Sequence, residues 1–466
     1  MNQFHLFQLL DERLGIGINY DVCVRKITIL NKNVRVYYLN GLVSNIEIIE
    51  VIQTLLAIQR DKSHNVDINL LFNNLPHETA VIISDINEII NSILNGIIII
   101  MIEGFTEAIS VEVRAYPTRS ISEPDMEKVI RGSHDGFTES INMNTALIRR
   151  RVKDENLRNE MLLIGSNSPM NVCLSYIEGI CDKKIIEDVK RRISNLNVEH
   201  LIMSDKQLEE LLIKQKFNPY PLVRYTERAD IVAIHLYQGM FALIVDTSPS
   251  VILAPATLFD HLQHTEEYRQ TPLSGTYLKL LRLFGVLISL FLTPLWLLTV
   301  KNDWNFFILK NIIPDNISIS LFMQIIIAEI GVEFLRMASI HTPSALSTAM
   351  GLISGILIGN IAIEVGIFTE EVVMIVALSA IGTYITPSYE LGLANKISKL
   401  FFILSIYLFN IVGFCISVLV WLILLMGLKS FNKPYLYPIV PFNFKRLLKS
   451  IIRFPYKNIE KNKGEK

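Results

Sequence analysis

The sequence has little cysteine, almost no net charge and none of the signature loops of nucleotide or hydrolytic chemistry. Four cysteines in 466 residues (Cys23, Cys173, Cys181 and Cys415) are too few and too scattered for a disulfide framework, so a reducing compartment is the default expectation. A formal net charge of -1 removes the electrostatic case for nucleic acid as a partner. The first residues, Met1–Leu14, carry Asp11 and Glu12 and lack the apolar centre of a signal peptide. No P-loop, G-x-G-x-x-G, H-E-x-x-H or G-x-S-x-G occurs, and Gly15-Ile-Gly17 has no third glycine at the required spacing. The tightest histidine pair, His261-x-x-His264 beside Glu266 and Glu267, has no further ligand constellation around it. No metal, cofactor or catalytic residue is therefore expected, and an enzyme is not.

Apolar residues are abundant, and they are unevenly spread. Half the chain is hydrophobic and 19% is charged. Between Tyr277 and Leu428, however, only 15 of 152 positions are charged, against an ordinary soluble composition elsewhere. Five apolar segments fill that block: Tyr277–Val300, Asn316–Ala338, Pro343–Phe368, Glu370–Pro387 and Ile397–Leu428. The first is long enough to span a hydrocarbon core about 30 Å thick. The third opens with Thr342 as N-cap and Pro343 at the first helical position. The last, 32 residues long, suits one tilted helix or a broken one.

The tail from Lys429 to Lys466 holds ten Lys or Arg against Glu460 and Glu465, which orients it toward the cytosol beside the N-terminal region. Both ends inside require an even number of crossings. Four crossings plus one re-entrant or interfacial segment is the favoured reading, and six, with Ile397–Leu428 folded as a hairpin, is the alternative.

The expected class is an α/β cytosolic region of two similar small subdomains followed by an α-helical polytopic membrane domain. The divisions are an N-terminal α/β subdomain over 1–120, a helical connector over 121–160, a second α/β subdomain over 161–276, the membrane domain over 277–428, and a basic cytosolic tail over 429–466.

The duplication rests on an internal similarity. Val36-Tyr-Tyr-Leu-Asn-Gly41 and Leu174-Ser-Tyr-Ile-Glu-Gly179 both read as a strand leading into a helical pattern. Later in each half a Gly-led apolar run, Gly96–Glu103 or Gly239–Asp246, precedes another strand. Glu103–Glu107 and Asp246–Ser250 read as hairpin loops, and the repeated cores run over Asn31–Val113 and Met161–Ala256. Between them, Ser122 and Asp125 fit a capping box opening a helix that Gly132 can end. The basic run Arg149-Arg150-Arg151 follows, either in surface ion pairs or at an anion-binding or subunit-contact loop.

Charges inside the apolar block are the best functional clue. Glu329, Glu333 and Arg336 share one helix face. Three charges at about 2.5–3.5 kcal/mol each leave such a helix marginal against lipid. It needs protein or water along that stripe, which makes it either a lock between helices or the lining of an ion path. Gly351, Gly355 and Gly359 recur at the four-residue period that lets helices pack closely, and Asn360 and Glu364 form a polar pair beside them. In a ring of identical subunits such helices could surround a narrow pore.

Four sequence blocks carry a family resemblance. They are Glu123-Pro124 through Arg131-Gly132 to Gly136-Phe137-Thr138-Glu139, then Thr226-Glu227-Arg228-Ala229-Asp230, Val245-Asp246-x-x-Pro249 and Thr386-Pro387-Ser388-Tyr389. Together they resemble the signature of the GerA spore-germination family, the A-type subunits of germinant receptors. This chain has Ser133-His134-Asp135 where that family often has Pro-Arg-Glu.

The resemblance implies a protein of the inner spore membrane that assembles into a homo-oligomeric ring, with five subunits as the candidate number, and conducts ions in germination. Three further stretches, Asp260–Pro272, Ile327–Ala338 with His341–Pro343, and Pro434–Asn443, resemble one branch of that family. The branch implies SpoVA-type membrane proteins and a small multi-spanning protein as partners, besides membrane lipid, and a role in calcium–dipicolinate movement. A secondary transporter subunit and a scaffold clustering germination proteins are the competing readings. Against the transporter, the visible repeat lies in the soluble region and not in the membrane block.

Overall fold

The computed structural model describes residues 4–29, 31–58, 67–75, 77, 79–117, 135–213, 215, 217–304, 319–341, 355 and 357–454. The chain divides into two compact units. Met1–Gln215, Val223–Ala256 and Ser430–Asn432 form the first, and Lys216–Leu222, Thr257–Lys429 and Lys433–Lys466 form the second.

The first unit contains two five-stranded antiparallel sheets with the same strand order. In one the order is β1-β2-β4-β5-β3, from Val22–Ile29, Lys32–Leu39, Val81–Ile83, Ile98–Ile102 and Ala108–Val111. In the other it is β6-β7-β9-β10-β8, from Leu157–Ile164, Met170–Ile177, Arg224–Thr226, Phe241–Val245 and Val251–Ala254. The helices interleave identically. In the first half α2 (Asn45–Ile58) and α3 (Ile68–Asn74) follow β2, and α4 (Ile86–Leu94) follows β3, after the opening helix α1 (Phe4–Leu14). In the second half, after α5 (Ile141–Arg151), α6 (Lys183–Ser194) and α7 (Ser204–Leu212) follow β7, and α8 (Ala229–Tyr237) follows β8. The internal repeat in the sequence thus has a structural form.

The central strands explain the apolar runs. Every side chain of β4 is buried. Ile98, Ile100 and Ile102 pack with residues of α2 and α3, while Ile99 and Met101 pack with α1 and α4. Helices on both faces leave no polar side for the strand to show. Gly96 and Gly239 take the equivalent place in each half, with φ of 82° and 88°, where α4 or α8 ends and the central strand begins. That left-handed conformation is why a glycine leads each run.

The ranges Asn31–Val113 and Met161–Ala256 miss β1 and cut into β6. Both are edge strands, and β1 exposes Arg25 and Lys26, so neither reads as a buried strand in sequence. The helix expected from Ser122 to Gly132 lies outside the described residues. The arginine run is used internally. Arg149 Nε lies 2.8 Å from Asp21 Oδ2, Arg150 donates to the Pro117 carbonyl, and Arg151 holds both oxygens of Asp135 at 2.6 Å. Asp21 also accepts from Asn159 Nδ2 at 2.9 Å, so one buried carboxylate joins the start of the first half to α5 and β6. All four cysteines are unpaired, and burial pushes the Cys181 thiol up to about 11.

The second unit is helical. Two short helices, α9 (Leu258–Leu262) and α10 (Thr265–Arg269), lead into α11 (Pro272–Lys301). Thr271 caps α11 and Pro272 sits at its first position, where a missing N–H costs nothing. Then come α12 (Leu321–His341), a π-helical turn at Leu357–Ile361 running into Ala362–Glu364, α13 (Glu370–Ile385), α14 (Tyr389–Gly427) and α15 (Phe444–Ile451). Among the described residues two helices, α11 and α14, are long and apolar enough to cross a membrane. The start expected at Pro343 lies outside the described residues.

The last apolar segment is broken. Asn410, at φ 57° and ψ -137°, interrupts α14. Beyond it the chain lies back along itself. A Cβ on Gly413 would fall 2.1 Å from the Ser405 carbonyl oxygen, and Phe402 meets both Phe414 and Trp421 ring to ring. The reversal is fastened to the end of α11. Asn302 and Asn410 exchange two amide hydrogen bonds of 2.8 Å, and Lys301 Nζ donates to the carbonyls of Ile406 and Tyr407 at 3.0 and 2.8 Å.

Replacing Asp21 by Ala leaves Arg149 buried without its counter-charge. A loss of about 3–5 kcal/mol is expected in equilibrium unfolding of the full chain, with Arg149→Lys recovering part of it. Unchanged stability in Asp21→Ala would show that the pair is dispensable.

Candidate functional site

The charged stripe of α12 is matched by lysines on α14. Glu329 Oε1 accepts from Lys399 Nζ at 2.6 Å, and both side chains are almost wholly buried, 3% and 1% exposed. One turn along, Glu333 Oε2 accepts from Lys396 Nζ at 2.7 Å, and Lys396 also donates to the Glu329 carbonyl at 3.1 Å. Arg336 closes the row, with its Nε 3.1 Å from Glu333 Oε1 and its guanidinium 4.6 Å from the centre of the Tyr389 ring. The two rungs, Glu329–Lys399 and Glu333–Lys396, run in opposite chain directions, as antiparallel helices require. Each charge thus has an opposite charge within contact distance, the condition under which ions survive in an apolar interior.

The lattice reaches a third and a fourth helix. Lys399 Nζ lies 3.0 Å from Ser379 Oγ on α13, and that hydroxyl donates to the Ser289 carbonyl of α11 at 3.1 Å. Small residues make this approach possible. A Cβ on Gly382 would sit 2.4 Å from the Gly285 carbonyl oxygen, so α11 and α13 touch backbone to backbone there. On the other side of the hairpin, Tyr220 from the excursion Lys216–Leu222 pins both limbs. Its Oη is 2.9 Å from Ser398 Oγ on the first limb and accepts from Trp421 Nε1 on the second at 2.6 Å. Burial raises the Tyr220 phenol above its ordinary range, so the hydroxyl keeps its proton.

The stripe expected from sequence, Glu329, Glu333 and Arg336, is therefore drawn together, and inward onto lysines. Asn360 and Glu364 stand apart from it on an exposed turn. Gly351 lies outside the described residues. A Cβ on Gly355 or Gly359 would meet nothing within 4 Å among the described residues. The close glycine pair is Gly285–Gly382. Sequence reasoning missed Lys396, Lys399 and Ser379. The available signal was the charge balance of the block, because two lysines three apart complement two glutamates four apart.

The family blocks of the α/β unit also converge. Gly136 forms a β-bridge with Arg228, and the Phe137 amide donates to the Glu227 carbonyl at 2.7 Å. Glu139 supplies the carbonyl that accepts from the Thr247 amide at 2.8 Å, and Asp246 Oδ1 accepts from the Ile141 amide at 3.2 Å. Phe137 is buried in the core of the second half. Glu123, Pro124, Arg131 and Gly132, from the same block, lie outside the described residues. Three separate stretches thus build one joint at the start of α5, bonded largely through backbone.

Three variants test the helical lattice. Lys399→Met strands Glu329 in the interior and is expected to cost about 3–5 kcal/mol of unfolding stability. Glu329→Leu with Lys399→Leu removes both charges and is expected to recover most of that loss. Tyr220→Phe removes the acceptor of Trp421 and is expected to cost about 1–3 kcal/mol, read together with a change in tryptophan emission.

Comparison with known proteins bears on the chain as a whole. The sequence profile described as "Bacillus/Clostridium GerA spore germination protein" matches residues 8–464. The chain is 46% identical over 451 residues to stage V sporulation protein AF of Bacillus subtilis (strain 168), covering 95% of this chain and 90% of that protein. It is 31% identical over 394 residues to spore germination protein A1 of the same organism, covering 82% and 79%. Among solved structures, the N-terminal domain of the A subunit of the Bacillus megaterium spore germinant receptor GerK3 aligns with 54% of this chain and 94% of its own, at 25% identity and a TM-score of 0.42. The chain belongs to the GerA spore germination protein family.

Proposed function

We propose that this chain is a multi-pass protein of the inner spore membrane that forms a homo-oligomeric ion channel, or a channel-like subunit, in spore germination. In this reading residues 277–428 cross the membrane, and the α/β region and the basic tail lie in the cytosol. The observation that carries it is the contrast between two sets of polar groups in the helical unit. Glu329, Glu333 and Arg336 are consumed by internal pairs, whereas Asn360 and Glu364 stand exposed beside Gly355 and Gly359, on which no described residue packs.

The rest of the unit's surface is strongly apolar, with Phe284, Phe334, Ile381, Leu408 and Ile423 all exposed. A carboxylate on such a surface needs water or a neighbour, and identical subunits meeting around an axis supply both. The ion-paired lattice then serves as the stiff frame that holds the polar turn toward that axis. Membership of the GerA family, with a 46% identical relative named for stage V of sporulation, supports a place beside SpoVA-type proteins in ion or calcium–dipicolinate release.

Recordings of the purified full chain in planar bilayers test this. Glu364→Gln is expected to lower cation conductance or selectivity while the oligomer, sized in detergent, is unchanged. Conductance absent in every condition, with germination intact, would favour the scaffold.

A further inference from the structure

The short helix α15 is amphipathic, and its apolar stripe is left unburied. Phe444, Leu447, Leu448 and Ile451 stand at i, i+3, i+4 and i+7 and share one face, while Lys445, Arg446 and Lys449 take the opposite one. A helix of a water-soluble fold buries such a stripe, yet none of the eight residues of α15 is buried. Phe444 is 64% exposed, and Ile439, Val440 and Phe442 before it are exposed as well. The surrounding charge has one sign. Residues 429–459 hold seven Lys or Arg and no Asp or Glu.

The start of α11 fixes the level at which this helix ends. The Arg453 amide donates to Thr276 Oγ1 at 3.1 Å, and its guanidinium donates to the Tyr268 carbonyl at 2.6 Å. Lys279 Nζ lies 3.5 Å from the Ser450 carbonyl oxygen. A Cβ on Gly275 would fall 2.5 Å from Arg453 Cδ, so the chain passes directly against the first turns of α11. The charge-free run of α11 is Leu283–Val300, whose 18 residues rise about 27 Å and match a hydrocarbon core of about 30 Å. Lys279 stands about 6 Å before that run, at headgroup depth. On the same turns Leu273 and Tyr277 are 83% and 61% exposed, an apolar and an aromatic side chain where an interfacial belt belongs.

We infer that α15 lies on the cytosolic face of the membrane and binds anionic phospholipid. Its apolar stripe sits at the boundary of headgroups and acyl chains, and the long side chains of Lys445, Arg446 and Lys449 reach back to the phosphates. The inference rests on the membrane-crossing arrangement proposed above, and it holds whether or not the protein conducts. Neutral lipid would accept the stripe and leave the cations without partners of opposite charge, whereas an anionic surface attracts each of them. A protein groove would also accept the stripe, but at headgroup depth lipid is the neighbour already present.

The test uses the full-length protein in lipid nanodiscs, made of phosphatidylcholine alone or of an equal mixture with phosphatidylglycerol, and reads amide hydrogen exchange. Exchange over residues 444–451 is expected to slow about tenfold or more in the anionic discs. Raised salt is expected to remove that difference. Lys445→Gln, Arg446→Gln and Lys449→Gln together are expected to abolish the lipid dependence while α11 and α14 stay protected. Phe444→Ser with Leu448→Ser is expected to weaken protection in the anionic discs with every cation kept. Fast exchange of α15 in both discs overturns the inference, and so does equal protection in both, which would mark a protein neighbour as the cover. Lipid dependence retained in the triple variant overturns it as well. Fast exchange throughout α11 and α14 removes the membrane-crossing reading and this inference with it, whereas protected α11 and α14 beside a lipid-blind α15 removes this inference alone.

Discussion

The pair Glu329–Lys399 is the interaction on which the helical unit depends. Each ion alone in that interior would cost several kcal/mol, so neither helix can take its place without the other. The pair fixes the facing residues of α12 and α14, and through Ser379 and Ser289 it fixes α13 and α11 as well. Apolar packing could hold these helices at many relative rotations. Charge neutralisation selects one. This is the best-attested use of buried ions, specifying an arrangement at little or no gain in stability.

The two units reach specificity by the same means on different scaffolds. In the α/β unit a buried carboxylate, Asp21, collects Arg149 and Asn159 from two different elements. In the helical unit Glu329 and Glu333 collect Lys399 and Lys396 from one. Both are surrounded by aliphatic side chains that supply the bulk of the driving force and little direction. A sheet offers register through its ladder, so the α/β unit needs one such joint. Helices offer none, and the helical unit carries a ladder of charges in its place.

Much of this was legible in the sequence. The duplicated α/β pattern, the central strands and the shared face of Glu329, Glu333 and Arg336 follow from residue spacing alone. What was missed has physical causes. The edge strand β1 carries charged residues on its solvent face, and β6 buries Arg158 and Asn159 in hydrogen bonds while exposing Leu163, which blurs the apolar signal in both. Lys396 and Lys399 made the start of α14 read as polar, although their charges are cancelled within the fold, and the helix begins at Tyr389. The glycine that packs closely, Gly382, pairs with Gly285 across 97 positions of sequence and belongs to no periodic motif. Asn410 reverses the chain with neither proline nor glycine at the turning residue itself, because asparagine tolerates a positive φ better than most residues.

That reversal has a consequence for the order in which the protein is made. A chain that turns back leaves backbone carbonyls without helical partners, and in the proposed membrane-spanning arrangement no solvent is there to receive them. Here the acceptors are met by the ammonium of Lys301 and the amide of Asn302, more than 100 residues earlier. Synthesis delivers α11 first, so the receptor for the turn is already waiting when Asn410 emerges. The opposite order would leave the turn's carbonyls without these donors. Vectorial synthesis thus becomes a folding instruction, with the first long helix acting as a template that the last hairpin closes upon.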